Sequence, residues 1–209
     1  MKAIFFPDVP FESLYIPHIL KEIYIDKVFA KVKPCDVIVD VGANIGLTVM
    51  YLRKFAKKVY AIEPSSEHFV ALSDNLYYNE WRNVRIDKMA ISYKTGHFPL
   101  FINDQNRTMN SLVWPQVGGS EKVFCDTFAG LMNSKDIETI DFCKLDVEGA
   151  EEDILTGEGF ISVADRIKSL LVEIHYPSRV NYLLGHMTKL GYTWENVPAD
   201  SILYWFERQ

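Results

Sequence analysis

No stretch of the 209 residues could span a bilayer, since no apolar run approaches the roughly 20 residues that a membrane helix needs. The apolar run within Met1–Pro10 is too short for a signal peptide, so the expected setting is soluble and cytoplasmic. Cysteine is scarce. Cys35, Cys125 and Cys143 lie far apart and form no C-x-x-C pair, which speaks against a disulfide framework or a thiolate zinc site and suits reduced core residues. Positive charge is in deficit as well: 22 Lys and Arg face 28 Asp and Glu, a net charge of −6. Phosphate binding relies on clustered cations, so a nucleic-acid partner is disfavoured. Repeats, low-complexity tracts and linkers are also missing. With 48% hydrophobic residues the chain can bury one good core, and residues 1–209 are expected to form a single domain.

What is present begins at Val37-Ile-Val-Asp-Val-Gly-Ala-Asn-Ile-Gly-Leu-Thr-Val-Met50. Its first residues read as a strand buried on both faces, and Leu47, Val49, Met50 and Leu52 suit a helix. A strand passing through a glycine turn into a helix gathers unpaired backbone N–H groups at one point, a seat for a cofactor. Dinucleotide binding wants G-x-G-x-x-G, but counting from Gly42 the next two positions are Asn44 and Leu47, so that spacing fails twice. An acid followed by G-x-x-x-G resembles instead the first motif of class I S-adenosylmethionine (SAM) methyltransferases. About 20 residues on, Val59-Tyr-Ala-Ile-Glu-Pro64 is a second apolar strand ending in an acid, and Glu63 is placed to grip ribose hydroxyls. Ser65 or Ser66 can cap the helix that follows.

Before these units, Ile16, Ile19, Leu20, Ile23 and Tyr24 recur at helical spacing. They predict an amphipathic helix within an extension over residues 1–33, which packs on the core, covers the cofactor mouth or joins a homodimer. After them, Asn83–Ile91 reads as a third strand whose end, with Met89, should lie beside the adenine. The turn at Ser92–Gly96 predicts a hairpin between Ile91 and His97–Ile102. Residues 103–120 are polar and too long for a plain connection, a candidate substrate lid carrying Arg107, Asn110, Ser111 and Trp114.

Two further strands carry charge where a covered sheet should not. In Asp141-Phe-Cys-Lys-Leu-Asp-Val-Glu-Gly-Ala-Glu-Glu152, alternation puts Lys144, Asp146 and Glu148 on one face and Cys143, Leu145 and Val147 on the other. Ser169–Pro177 repeats the pattern with Glu173 and His175. Buried charges persist by pairing or by working. If the two strands are neighbours, Lys144 and Glu173 can pair while Asp146, Glu148 and His175 gather at the carboxyl ends, where open α/β sheets bind ligands. Tyr182–Leu190, stopped by Gly191, reads as a helix, and two aromatic strands around Pro198 close the chain.

Together, Val39-Asp-Val-Gly-Ala-Asn-Ile-Gly46, Ala61-Ile-Glu-Pro64, Lys144-Leu-Asp-Val-Glu-Gly-Ala-Glu151 and Val172-Glu-Ile-His175, in this order, resemble the FkbM family of SAM-dependent methyltransferases. The likeness covers roughly residues 20–209. It implies an α/β, three-layer, Rossmann-like class I methyltransferase fold, with a mostly parallel seven-stranded sheet whose last strand is antiparallel, plus the N-terminal helix. It implies O-methylation of a hydroxyl on a sugar, glycan or other small natural product, with SAM as cofactor and S-adenosylhomocysteine as product. Asp40, Gly42, Ala43, Asn44, Gly46 and Glu63 match the cofactor motif position for position, and Met89 completes the expected cofactor contacts. Asp146 or His175 is the expected base, with Glu148 holding substrate hydroxyls. Asp146 and Glu148 could also hold Mg²⁺, but no metal is assigned. The competing readings are an N- or RNA-directed methyltransferase, a non-catalytic SAM-binding protein, which the intact Gly turn and Glu63 oppose, and a nicotinamide-dependent oxidoreductase, which the failed glycine spacing opposes.

Overall fold

The fold is described from a computed structural model, in which residues 16–106, 109–199 and 201–209 can be described. Arg107, much of the N-terminal extension and the apolar run in Met1–Pro10 lie outside them. The strands form where the sequence is apolar and β-branched. β1 (Cys35–Val41), β2 (Ala56–Ile62), β3 (Val84–Asp87), β7 (Phe142–Leu145) and β8 (Ser169–Glu173) run parallel, and β10 (Leu203–Arg208) inserts antiparallel between β8 and β9 (Tyr192–Asn196). The order across the seven-stranded sheet is β3-β2-β1-β7-β8-β10-β9. This is the expected architecture, with the antiparallel strand last in the chain.

Two buried layers follow from the period of two along each strand. Val39, Val41, Tyr60, Ile62, Cys143, Leu145 and Val172 face one side, where they pack with residues of α4 (Phe128–Ser134), α5 (Glu151–Thr156) and α7 (Val180–Lys189). Ile38, Val59, Ala61, Phe142, Leu171 and Trp205 face the other, against α2 (Leu47–Leu52) and Leu72 of α3 (Ser66–Asn79). Of the terminal aromatics, Trp205 and Phe206 are core, whereas Trp194 on edge strand β9 is 47% exposed.

The expected hairpin after Ile91 does not form. β3 stops at Asp87, and the chain re-enters as β4 (Ala90–Ile91) in a separate three-stranded sheet of order β4-β6-β5. β6 (Ser120–Asp126) lies between them, parallel to β4 and antiparallel to β5 (Gly96–Phe101). Two residues of β4 are too few to carry a hairpin. Its turn is anchored on β6 instead, by Ser92 N–H to the Asp126 carbonyl at 2.8 Å and by Thr95 Oγ1 to Asp126 Oδ1 at 2.7 Å.

At the amino-terminal end of the described chain, α1 (Ile16–Lys21) runs into a single wider turn over Glu22–Asp26. Ile23 is buried in the second layer, so the helix does pack on the core.

Candidate functional site

A cavity of about 350 Å³ opens at the carboxyl ends of the parallel strands. Its walls differ in chemistry. One wall is the glycine turn, with Gly42, Ala43 and Asn44, and with Glu63 at the end of β2. Gly42, Asn44 and Gly46 all have positive φ, +81°, +51° and +93°, so three left-handed residues in five wind the chain into a tight crook. Asn75 fastens that crook from α3, its Nδ2 donating to the Ile45 carbonyl at 2.8 Å. Helix α2 has only six residues, so the shape of the turn, more than a long helix dipole, makes the seat.

Glu63 is 4% exposed and held by backbone: Asn44 N–H donates to Oε2 at 2.8 Å and Ser65 N–H to Oε1 at 2.9 Å. Ser65 also caps α3, accepting from His68 N–H. A carboxylate fixed in this way still has acceptor capacity to offer, because each oxygen can take two hydrogen bonds. The cavity, the crook and this carboxylate fit the ribose and amino-acid portions of a nucleoside cofactor. His68, whose buried Nε2 has no partner, adds a polar group to the same wall.

Asp40 lies beneath the turn and not in the wall. It is fully buried, accepts from Thr48 Oγ1 at 2.5 Å, and has its carboxyl held above the usual range, mainly by burial, against the opposing charge of Lys144. A Thr48→Val variant therefore strands a buried carboxyl without its donor. The expected loss is about 1–3 kcal/mol in urea unfolding at unchanged m-value, and a loss below about 0.3 kcal/mol would show that the contact carries no weight. Met89 is buried in the first core layer and does not line the cavity, which takes its neighbours Ala90 and Ile91 there. The break after Asp87 rotates it inward.

The opposite wall is acidic. Asp146 and Glu148 follow β7, Glu173 ends β8, and His175 lies two residues beyond it. The structure therefore brings Asp146, Glu148 and His175 together, with one ligand-type atom of each within 4.8 Å of the others. It does not pair Lys144 with Glu173. Across β7 and β8, Lys144 stands opposite Leu171, and its Nζ turns to Asp146 Oδ2 at 2.7 Å. Glu173 Oε1 lies 3.6 Å from His175 Nε2 and Glu148 Oε2 lies 3.3 Å from it.

His175 Nδ1 meets Glu151 Oε1 at 2.9 Å, and that carboxylate, 1% exposed, also accepts from Val147 and Gly149 N–H. Burial works against the His175 cation, but the bond to Glu151 and the charges of Glu151, Glu148 and Asp146 outweigh it and raise its pKa. Burial first, and then the charge of Asp146, raise Glu148 and Glu173. Glu151 was visible in the sequence motif without a role. Its position as the first residue of α5, directly after the loop, is what aims it at His175.

Residues of the 103–120 stretch border the same cavity. Asn106, Met109 and Asn110 line the cavity, and fully buried Ser111 donates to the Glu148 carbonyl at 2.6 Å. Trp114 packs edge-on to His175 and donates to the Tyr176 hydroxyl. Gly149, at φ +103°, leaves the room that Trp114 occupies: a Cβ there would come within 2.7 Å of the indole. From the other side His18, Ile19 and Glu22 complete the wall, with burial raising the Glu22 carboxyl. Hydrophobic spacing predicted that helix but gave no sign that it would place an acid in the cavity.

The geometry can be set beside known proteins. Residues 40–193 match the family model described as the methyltransferase FkbM domain. Methyltransferase 1 of Beauveria bassiana is 26% identical over 71% of this chain and 69% of its own length. Methyltransferase sdnD of Sordaria araneosa is 30% identical over 66% of this chain and 67% of its own. The crystal structure of methyltransferase FkbM from Methylobacillus flagellatus superposes with a TM-score of 0.58 at 16% identity, over 96% of this chain and 48% of that one, so the chain spans about half of that protein's length. TrmK of M. capricolum, solved with S-adenosylhomocysteine, reaches 0.51 at 13% identity over 87% of this chain and 65% of that one. The match from Asp40 at the end of β1 to Thr193 on β9 takes in the glycine turn, Glu63 and the acidic wall, and the chain belongs to the FkbM methyltransferase family.

Proposed function

We propose that this protein is a SAM-dependent methyltransferase acting on a hydroxyl oxygen of a sugar, glycan or other small natural product. The observation that carries the reading is one cavity with two unlike walls, a glycine crook with a backbone-anchored Glu63 facing a cluster of carboxylates and an imidazole. Gly42, Ala43, Asn44 and Glu63 would hold SAM, with Asp40 and Gly46 shaping the turn from behind. Bound there, SAM supplies an electrophilic methyl group.

The chain's own part is to position and deprotonate the acceptor. Carboxylates are hydrogen-bond acceptors only, so the acidic wall favours a partner rich in O–H donors and disfavours a phosphate-bearing one. Glu148 would hold neighbouring hydroxyls, while Asp146, or His175 in its neutral form, would take the reacting proton; the surrounding carboxylates favour the His175 cation, which leaves Asp146 the readier of the two. Trp114 and the lid exclude water, and most of the rate gain would come from alignment.

The test compares Asp146→Asn and His175→Ala with the parent protein against a panel of hydroxylated acceptors, following S-adenosylhomocysteine release, with cofactor affinity measured separately. Both variants are expected to bind S-adenosylhomocysteine within about threefold of the parent while turnover falls by about 10²-fold or more. Parental turnover in both would end the proton-acceptor assignment.

A further inference from the structure

We propose that Asp146, Glu148 and His175 form a binding site for a hard divalent cation of the Mg²⁺ or Mn²⁺ type on the acidic wall of the cavity. Each contributes one potential ligand atom, two carboxylate oxygens and one imidazole nitrogen, and all three atoms lie within 4.8 Å of one another. Ligand atoms around an ion at about 2.1–2.3 Å sit roughly 3 Å apart, so side-chain rotations of about 1 Å close the set. The residues come from the ends of two adjacent parallel strands, β7 and β8, so their backbones are fixed relative to one another.

Three features point to an ion more than to a self-satisfied network. His175 engages the buried Glu151 through Nδ1 at 2.9 Å and presents Nε2 to the cavity side, 3.3 Å from Glu148 Oε2. That carboxylate-to-imidazole arrangement is the one that orients metal-binding histidines. Next, carboxyl groups outnumber cationic side chains: among the described residues Asp146, Glu148, Glu151 and Glu173 share the neighbourhood with Lys144 and His175, and Lys144 bonds Asp146 through Oδ2. Finally, the ligand atoms line an open cavity, so the remaining coordination positions face the space where an acceptor would enter. The donor set contains no sulfur and is rich in oxygen, which favours Mg²⁺ or Mn²⁺ over softer ions.

The ion would hold an acceptor oxygen that the three side chains would otherwise meet directly. That role rests on the O-methylation reading, whereas the binding itself does not. The experiment is therefore done without cofactor or acceptor. Chelator-stripped protein is titrated with Mn²⁺, free ion is read by electron paramagnetic resonance, and Mg²⁺ is then added in competition.

Stoichiometric Mn²⁺ binding that Mg²⁺ displaces is expected, weakened about tenfold or more in Glu148→Gln and His175→Ala. Glu151→Gln, which touches no ion, should weaken it about 10- to 100-fold through the orientation of the imidazole. Circular dichroism checks each fold, and Glu148→Gln, nearly isosteric, carries the test if His175→Ala unfolds. Absence of binding by the folded parent up to about 1 mM Mn²⁺ overturns the proposal. So does binding that none of the three substitutions changes. Intact S-adenosylhomocysteine binding beside absent Mn²⁺ binding would sink this site alone; the reverse would sink the cofactor reading alone.

Discussion

Glu63→Ala is expected to lose S-adenosylhomocysteine binding by about 10²-fold or more, measured by calorimetric titration beside the parent protein. Hydrogen bonds from neutral donors to a charged acceptor contribute about 1.5–3 kcal/mol each, and a ribose would offer two. The carboxylate is 4% exposed and already oriented by Asn44 and Ser65, so little ordering cost falls on binding. Removing it also leaves those two backbone N–H groups without acceptors. Water can enter from the cavity, which limits the penalty to roughly 1–2 kcal/mol and a Tm about 2–8 °C lower. If the folded variant bound within threefold of the parent, the ribose assignment would fall. An NADH titration run alongside separates a methyl donor site from a dinucleotide site: the parent should bind S-adenosylhomocysteine and ignore NADH.

Gly42→Ala should damage both halves of the site at once. A Cβ at this position would lie 1.8 Å from the Asp146 carbonyl oxygen, which is backbone and cannot swing away. The residue also sits at φ +81°, a region that costs an L side chain about 1–2 kcal/mol. With displacement of the loop after β7 added, the expected loss is about 3–5 kcal/mol, a fall in Tm of roughly 6–20 °C. Cofactor affinity and turnover should drop together, because the glycine crook and the acidic loop meet at this point, where Asp146 N–H also donates to the Val41 carbonyl at 3.2 Å. Gly46→Ala is the useful comparison. Its nearest obstacle is the Leu72 side chain, 2.7 Å from the added atom, which can give way. The strained φ remains, but Asp146 should stay in place. Equal losses of turnover in the two variants would refute the coupling through Asp146.

Much of the site could be read before any coordinates because its residues break the local rules. Val37–Val41 is an apolar run, as a strand covered on both faces must be, so the acid at position 40 and the glycines after it stand out. Lys144, Asp146, Glu173 and His175 are conspicuous for the same reason. What could not be read depends on partners distant in sequence. The place of β6 between β4 and β5 is set by a long connection whose own sequence carries no pairing signal. Met89 lost its expected place beside the cofactor because a two-residue break after Asp87 hands the wall to Ala90 and Ile91. The partner of Lys144 turned on register: a strand pairing offset leaves Glu173 level with the chain beyond β7, so the lysine finds Asp146 just past the end of its own strand. His175 was singled out, yet nothing in its neighbours announced that Glu151, 24 positions away, would hold it.

The two walls of the cavity are built from unlike material, and this bears on how the protein could be changed. The cofactor wall is strand ends and the turn between them, continuous with both core layers. On the lid, Asn106, Met109 and Asn110 reach the cavity but belong to neither layer. Substitutions there alter what the acceptor meets without opening a void in the interior. A library randomised at these three positions should keep folded, cofactor-competent members at high frequency while its acceptor preferences diverge. Lineages that kept Gly42, Glu63 and the acidic loop could thus have exchanged one acceptor for another by drift in a few lid residues.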